Sequence, residues 1–382
     1  MEKHVAEVLK IQNPKVTSYI HSDIAFSILL KSSIKSLKRF ASVCKPWSLL
    51  FDDPTFMSAY RTTFLSKDHS YYSDKSLLLH KENGDTCQLY SVSDERFENI
   101  VRLNLPQVTL KLDPSTYDLE ILGPVSVNGT LCLTCPRQKN MALWNPSTDE
   151  YKVIPPSPFF YSGYRVYHSG FGYDSVTDDF KVLRHLRVSQ ITKNKSIWEI
   201  YSVRSDSWKK LDVDIDMYHD RMECHNLYID GLSHWLCMTT PDNKACLLSF
   251  DWSNEVFLTT PLPSNMEVFT CSVKSFLVLL NGSIALVIRY KKTDPFHILI
   301  LGEPGVRESW TKIFNVASLP YFKRVGGGGK KGRILFEKKG QRLAWFDLNT
   351  QMVEDLDLSS KDINCNILFH KENLHPFEGK NL

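Results

Sequence analysis

No apolar run in this sequence is long enough to cross a bilayer as a helix. The longest, Ser275–Leu280, Ile284–Ile288 and His297–Leu301, are of strand length and are interrupted by glycine or charge. The first twenty residues alternate polar and apolar, without the apolar core of a secretory leader. An excess of one charge is missing too. The 46 Lys and Arg against 43 Asp and Glu leave a net charge of +3, which gives no concentrated basic patch and no reason to expect nucleic acid. Nine cysteines are scattered over 382 residues. That is too sparse for a disulfide framework, so reduced thiols in the cytoplasm and/or nucleus are expected. Of three Asn-x-Ser/Thr sequons, at Asn128, Asn194 and Asn281, two are Asn-Gly pairs between apolar runs and read as hairpin turns.

What is present divides near residue 75. Before it, apolar residues recur at helical spacing. Ser22 or Asp23 can cap a first helix with Ile24, Ile28 and Leu29 on one face. Ser33 can cap a second that carries Ile34, Leu37, Phe40, Ala41 and Cys44. Pro46 suits the first turn of a third, with Trp47 and Leu50 to one side. Asp53-Pro54 starts a further one, with Phe56, Tyr60 and Phe64 at i, i+4 and i+8. Helices this short bury little area alone, and their apolar content points to a partner.

The stretch Ile20–Phe56 resembles the F-box of plant F-box proteins. The matching residues are Asp23-Ile24, Ile28-Leu29, Lys35-Ser36-Leu37, Arg39-Phe40, Val43-Cys44-Lys45, Trp47 and Asp53-Pro54 with Phe56. Two prolines usual in that family are replaced, by His21 in the opening Leu-Pro and by Ser33 before the second helix. The resemblance implies docking to a Skp-type adaptor, and through it to a cullin and a RING subunit. The residues expected to make that contact are Ile20, Ile24, Ile28, Leu29, Ile34, Leu37, Val43, Cys44 and Trp47, some of which must instead form the unit's own core. Lys31, Lys35, Lys38 and Arg39 make a basic stripe that could meet an acidic adaptor surface and is more often a solvated face.

After residue 75 the period drops to two. One pattern recurs: an aromatic residue, six residues rich in Asp, Asn, Ser and Thr, then a second large apolar residue. It appears at Tyr90/Phe97, Trp144/Tyr151, Tyr173/Phe180, Tyr201/Trp208, Phe250/Phe257 and Phe346/Val353. Leaving aside the Tyr173 copy, the starts lie 54, 57, 49 and 96 residues apart, with a missing copy due near Leu299–Trp310. Turns at Asn128-Gly129, Asp230-Gly231 and Asn281-Gly282 interleave with these hairpins. Two hairpins per roughly fifty residues predict four-stranded units closing into a β-propeller of about six blades.

The spacing is kelch-like, without the kelch Gly-Gly doublet. Leu143–Pro155, Gly170–Leu183, Glu199–Leu211, Leu227–Leu236 and Leu248–Pro263 resemble more closely the F-box-associated interaction domain of plant proteins. The expected architecture is therefore an N-terminal segment (1–18), a small all-α F-box of three to four helices (19–61), a connector (62–74), an all-β propeller (75–370) and a loosely held tail (371–382). It implies a non-catalytic substrate-recognition subunit of a Skp–cullin–F-box ubiquitin ligase, with an unknown target protein and no cofactor. The alternative is a protein- or glycan-binding propeller outside any ligase, with a vestigial F-box.

No nucleophile–base or paired-carboxylate motif stands out. Cys132-x-x-Cys135 and the set Cys224, His225, His234 and Cys237 have metal-like spacing, but residues three apart on a strand face opposite sides. Gly326–Gly329 with Lys330-Lys331-Gly332-Arg333 lacks the order of a phosphate-binding loop and reads as a flexible surface loop.

Overall fold

The computed structural model describes residues 22–32, 36–37, 39–40, 49, 53–66, 75–83, 86–93, 99–106, 120–135, 140–159, 164–188, 196–213, 215, 217–218, 227–239, 244–263, 273–290, 296–306, 309–316, 322–329, 332–338, 342–359, 366–371, 373 and 377. Two helices are described, α1 (Ser22–Lys31) and α2 (Pro54–Ser66), and the expected intervening helices fall largely outside the described residues. Ser32 ends α1, its hydroxyl donating to the Ile28 carbonyl at 3.0 Å. Asp53 caps α2, its carboxylate accepting from the Thr55 and Phe56 N–H groups at 2.8 and 3.3 Å. The Asp53-Pro54 start and the Phe56, Tyr60, Phe64 face appear as expected, with all three rings buried and stacked in sequence.

The remainder is all β. The chain first lays down β1 (Lys75–Asn83), β2 (Thr86–Ser93) and β3 (Asn99–Leu103), then β4 (Glu120–Val127), β5 (Thr130–Cys135), β6 (Asn140–Asn145) and β7 (Glu150–Ile154). Next come β8 (Tyr164–Asp174), β9 (Asp179–Val188), β10 (Ser196–Ser202) and β11 (Ser207–Leu211). A third group is β12 (Met217–Tyr218), β13 (Leu227–Ile229), β14 (Leu232–Thr239), β15 (Ala245–Asp251) and β16 (Val256–Pro261). Then follow β17 (Val273–Leu280), β18 (Ser283–Tyr290), β19 (Phe296–Leu301) and β20 (Trp310–Val316). The last are β21 (Phe322–Gly328), β22 (Arg333–Lys338), β23 (Arg342–Asp347), β24 (Val353–Ser359) and β25 (Asn366–Lys371).

These strands make five sheets, so the propeller has five blades counted by sheet and not about six. The physical reason is closure. The C-terminal strand β25 pairs antiparallel with β1, and a single parallel bridge, Phe369 to Val125, joins it to β4. Two four-stranded ladders thereby fuse into one eight-stranded sheet. Pairing the last strand with the first also covers the edge that β1 would otherwise expose at the seam.

The repeat read from sequence is a set of register pairs. Trp144 faces Tyr151, Tyr173 faces Phe180, Tyr201 faces Trp208, Phe250 faces Phe257 and Phe346 faces Val353 across their hairpins. The ring centroids of Tyr173–Phe180, Tyr201–Trp208 and Phe250–Phe257 lie 5.1, 5.3 and 4.7 Å apart. The missing copy is the Leu301–Trp310 pair. Tyr90 departs from the pattern: its partner is Arg102, while Phe97 lies outside the described residues.

Each turn of this kind is nucleated by its first polar residue. Asn145, Asp174, Asp251 and Asp347 accept N–H bonds from residues two or three further on. The last turn residue, Asp149, Asp178, Asp206, Glu255 or Gln351, takes a positive φ. At Asn128-Gly129, Asp230-Gly231 and Asn281-Gly282 both residues have positive φ, as a type I′ turn requires.

The glycine-rich segment is corrected. Instead of a surface loop, Phe322–Gly328 is strand β21 of the last blade, with Gly327, Gly328 and Gly329 buried. A Cβ on Gly327, whose φ is +137°, would stand 2.3 Å from the Phe369 ring. The glycine is there because an aromatic of the closing strand lies on its backbone. Two described residues of the tail make contacts. Asn145 Nδ2 donates to the Asn373 carbonyl at 2.8 Å, and the Phe377 ring lies 5.6 Å from Phe180.

Candidate functional site

Antiparallel order gives the propeller two unlike ends. The type I′ turns and the aromatic-flanked turns gather at one end. The strand ends that lead from blade to blade, and from second to third strand, face the other. The helical unit sits on the tight-turn end at the β17–β20 blade.

Three polar contacts fix it there. Asn281 Nδ2, from the β17–β18 turn, donates to the Phe64 carbonyl at 2.9 Å and satisfies one of the open carbonyls near the end of α2. A β-bulge in β20 leaves Ile313 outside the ladder register, and its carbonyl accepts from Arg61 Nε at 2.5 Å. Arg39 Nη2 donates to both carboxylate oxygens of Glu303, at 2.8 and 2.9 Å. This last contact is within the chain, so Arg39 of the basic stripe is already engaged. Lys35 and Lys38 lie outside the described residues.

Beneath these contacts, Leu29, Leu37, Phe56, Met57, Tyr60 and Phe64 belong to one buried cluster with Phe276, Val278, Ile298, Phe336 and Phe346 of the last two blades. Among the described residues, these buried apolar side chains of the helical unit share one core with the propeller. The marginal area expected for it is made up by the propeller.

This arrangement sorts the expected docking residues. Leu29 and Leu37 are 3% and 2% exposed and point into the shared cluster. Ile24 and Ile28, on the other side of the same helix, are 57% and 52% exposed. Phe40 and Leu49 are further exposed apolar side chains of the unit. Ile20, Ile34, Val43, Cys44 and Trp47 lie outside the described residues. The helix is thus held by one apolar face and shows two isoleucines on the other.

One polar cluster links two blades. Lys181 on β9 donates to Asp174 at 2.8 Å, to the Trp252 carbonyl at 3.1 Å and to Glu255 at 2.9 Å, and Lys209 pairs with Glu255 from the exposed side. Burial opposes the charge on Asp174, but hydrogen bonds from Lys181 and Thr177 hold its carboxyl well below the usual range. Glu255 is lowered by Lys209 and Lys181 against the same burial effect. A cleft of about 200 Å³ beside them is lined by Ile200, Ser202, Ser205 and Ser207. With three acceptors around Lys181 and two cations on Glu255, the group is self-satisfied and joins the β8–β11 and β13–β16 blades.

Among the described residues the metal-like spacings bring no metal-ligand cluster together. His234 Nδ1 bonds the Ser249 hydroxyl at 2.8 Å, whereas Cys237 meets Cys246. Cys132 is buried among apolar residues, and Cys224 and His225 lie outside the described residues. The Cys237–Cys246 contact was not anticipated. The Pro241-Asp242-Asn243 turn signal midway between them in sequence could have revealed it.

Fold and surface together define a propeller that carries a helical segment on its tight-turn end. The chain belongs to the family described as F-box associated beta propeller domain, whose model matches residues 79–369. F-box protein CPR1 of Arabidopsis thaliana is 26% identical over 369 residues, covering 88% of this chain and 84% of that protein. F-box/WD-40 repeat-containing protein 1 of the same plant is 25% identical over 388 residues, covering 94% and 84%. An Arabidopsis F-box/kelch-repeat protein is 25% identical over 311 residues, covering 78% and 79%.

Proposed function

We propose that this chain is the substrate-recognition subunit of a Skp–cullin–F-box ubiquitin ligase acting in the cytoplasm and/or nucleus. The observation that carries the reading is the bare Ile24/Ile28 face of α1, on a helix whose other face is fixed to the propeller. Family membership and F-box relatives support it. The adaptor covers Ile24 and Ile28, and through it the cullin and RING subunit are brought in.

The target is held at the propeller end opposite the helices, where the long connections leave the strands and where loop sequence can vary on a constant scaffold. In this role the chain makes and breaks no bond in the target. It raises the effective concentration of target lysines near the ubiquitin-charged enzyme. Because the helical unit shares its core with the propeller, target and adaptor stand in a set geometry.

Pull-down with a Skp-type adaptor tests this. The wild-type chain is expected to capture it, and Ile24→Asp with Ile28→Asp to lose it while the thermal melt is unchanged. Failure of the folded wild type to bind any Skp-type adaptor would favour a binding propeller outside the ligase.

A further inference from the structure

Two buried thiols oppose each other in the β13–β16 blade. Cys237 on β14 and Cys246 on β15 are register partners, with their sulfurs 3.3 Å apart. Directly opposed residues of an antiparallel ladder hold their Cα atoms about 4.5–5.5 Å apart. That lies inside the range of about 4.4–6.8 Å that a disulfide bridges. Bringing the sulfurs to a bonded distance of about 2.05 Å therefore asks for side-chain rotation and a small strand adjustment, with no change of register.

The two thiols differ from the third buried one. A hydrogen bond from the Cys237 thiol lowers Cys246 below the usual thiol range, against the effect of burial. At Cys132 burial alone pushes the thiol up. Cys246 has a thiol directly opposite it, whereas Cys132 packs among apolar side chains. Neither Cys237 nor Cys246 has any part in adaptor or target binding as proposed above.

We propose that Cys237 and Cys246 form a reversible thiol–disulfide site that closes on reaction with a peroxide. The Cys246 thiolate attacks one peroxide oxygen. The O–O bond breaks, and the departing hydroxide takes up the thiol's proton as water. The resulting sulfenic acid is attacked by the Cys237 sulfur, the S–S bond forms, the S–O bond breaks and a second water leaves. Two thiols lose two electrons, and one peroxide gains them. The bond ties β14 to β15 within a cluster that includes Leu183 and Trp198 of the preceding blade.

The test is peptide mapping of the folded full chain after hydrogen peroxide treatment, with circular dichroism recorded alongside. The expected result is linkage of the Cys237 and Cys246 peptides with loss of two hydrogens, reversal by dithiothreitol, an unchanged spectrum, and Cys132 recovered as thiol. Cys237→Ala and Cys246→Ala are each expected to abolish the linkage. Should a variant fail to fold, the wild-type chain decides. Linkage formed only after urea unfolding, sulfinic acid without linkage, or both thiols recovered unlinked would overturn the proposal.

Discussion

Replacing Phe56 with alanine removes the ring at the joint between α2 and the propeller. Phe56 is fully buried, lies edge-on to Phe26 at 5.6 Å and stacks on Tyr60 at 6.1 Å. Its cluster continues into Phe276, Val278 and Phe336. Deleting such a ring costs about 3–5 kcal/mol, transfer and cavity effects together. With a denaturant slope of about 3 kcal/mol/M in urea, the midpoint falls by about 1–1.7 M. Phe40→Ala, at an exposed site of the same unit, is the control and is expected to cost within about 0.5 kcal/mol. Urea unfolding followed by tryptophan fluorescence is informative because all eight tryptophans lie outside α1 and α2. A propeller transition unmoved by Phe56→Ala would show that the helices are an independent appendage and refute the shared core.

Two further outcomes follow from burial and backbone geometry. Burial lowers His234 to about 3 and His370 to about 4, below the value of about 6.5 in an unfolded chain. Between those values the unfolded chain binds more protons, so stability is complete above pH 6.5 and falls as pH drops. At pH 5 each histidine accounts for a loss of about 2 kcal/mol. Melts at pH 7 and pH 5 are expected to show that loss, and His234→Gln with His370→Gln to flatten the slope; an equal slope in the variant would exclude these residues. Gly327→Ala combines a positive φ with a Cβ 2.3 Å from Phe369 and is expected to cost about 3 kcal/mol. Gly231→Ala, whose φ is also positive but whose Cβ meets open space, is expected to cost about 1–2 kcal/mol. Equal melting temperatures for the two variants would contradict a close Phe369 contact.

Much of this architecture is legible locally. The aromatic pairs stand out because an Asx-nucleated turn fixes the register within a few residues, so Trp144 must face Tyr151 and Phe250 must face Phe257. Features set by distant segments were not legible in this way. Gly326–Gly329 reads as a loop because the ring that requires Gly327 comes from Phe369, some forty residues later. Ile24 and Leu29 are alike as residues of one amphipathic helix, and only the blade beneath tells which is covered. The fusion of two ladders into one sheet depends on a single bridge, Phe369 to Val125, that has no local signature. Cys237 and Cys246 required the register of β14 against β15.

The most direct measurement is the affinity of the purified full chain for a Skp-type adaptor, with and without Ile24→Ala and Ile28→Ala. About half of each isoleucine remains to be covered, worth about 1 kcal/mol apiece and therefore about a 30-fold weakening together. The expected result is that loss of affinity with an unchanged melting temperature. Wild-type affinity in the double variant, or no adaptor binding by the folded wild-type chain, would contradict docking through this face.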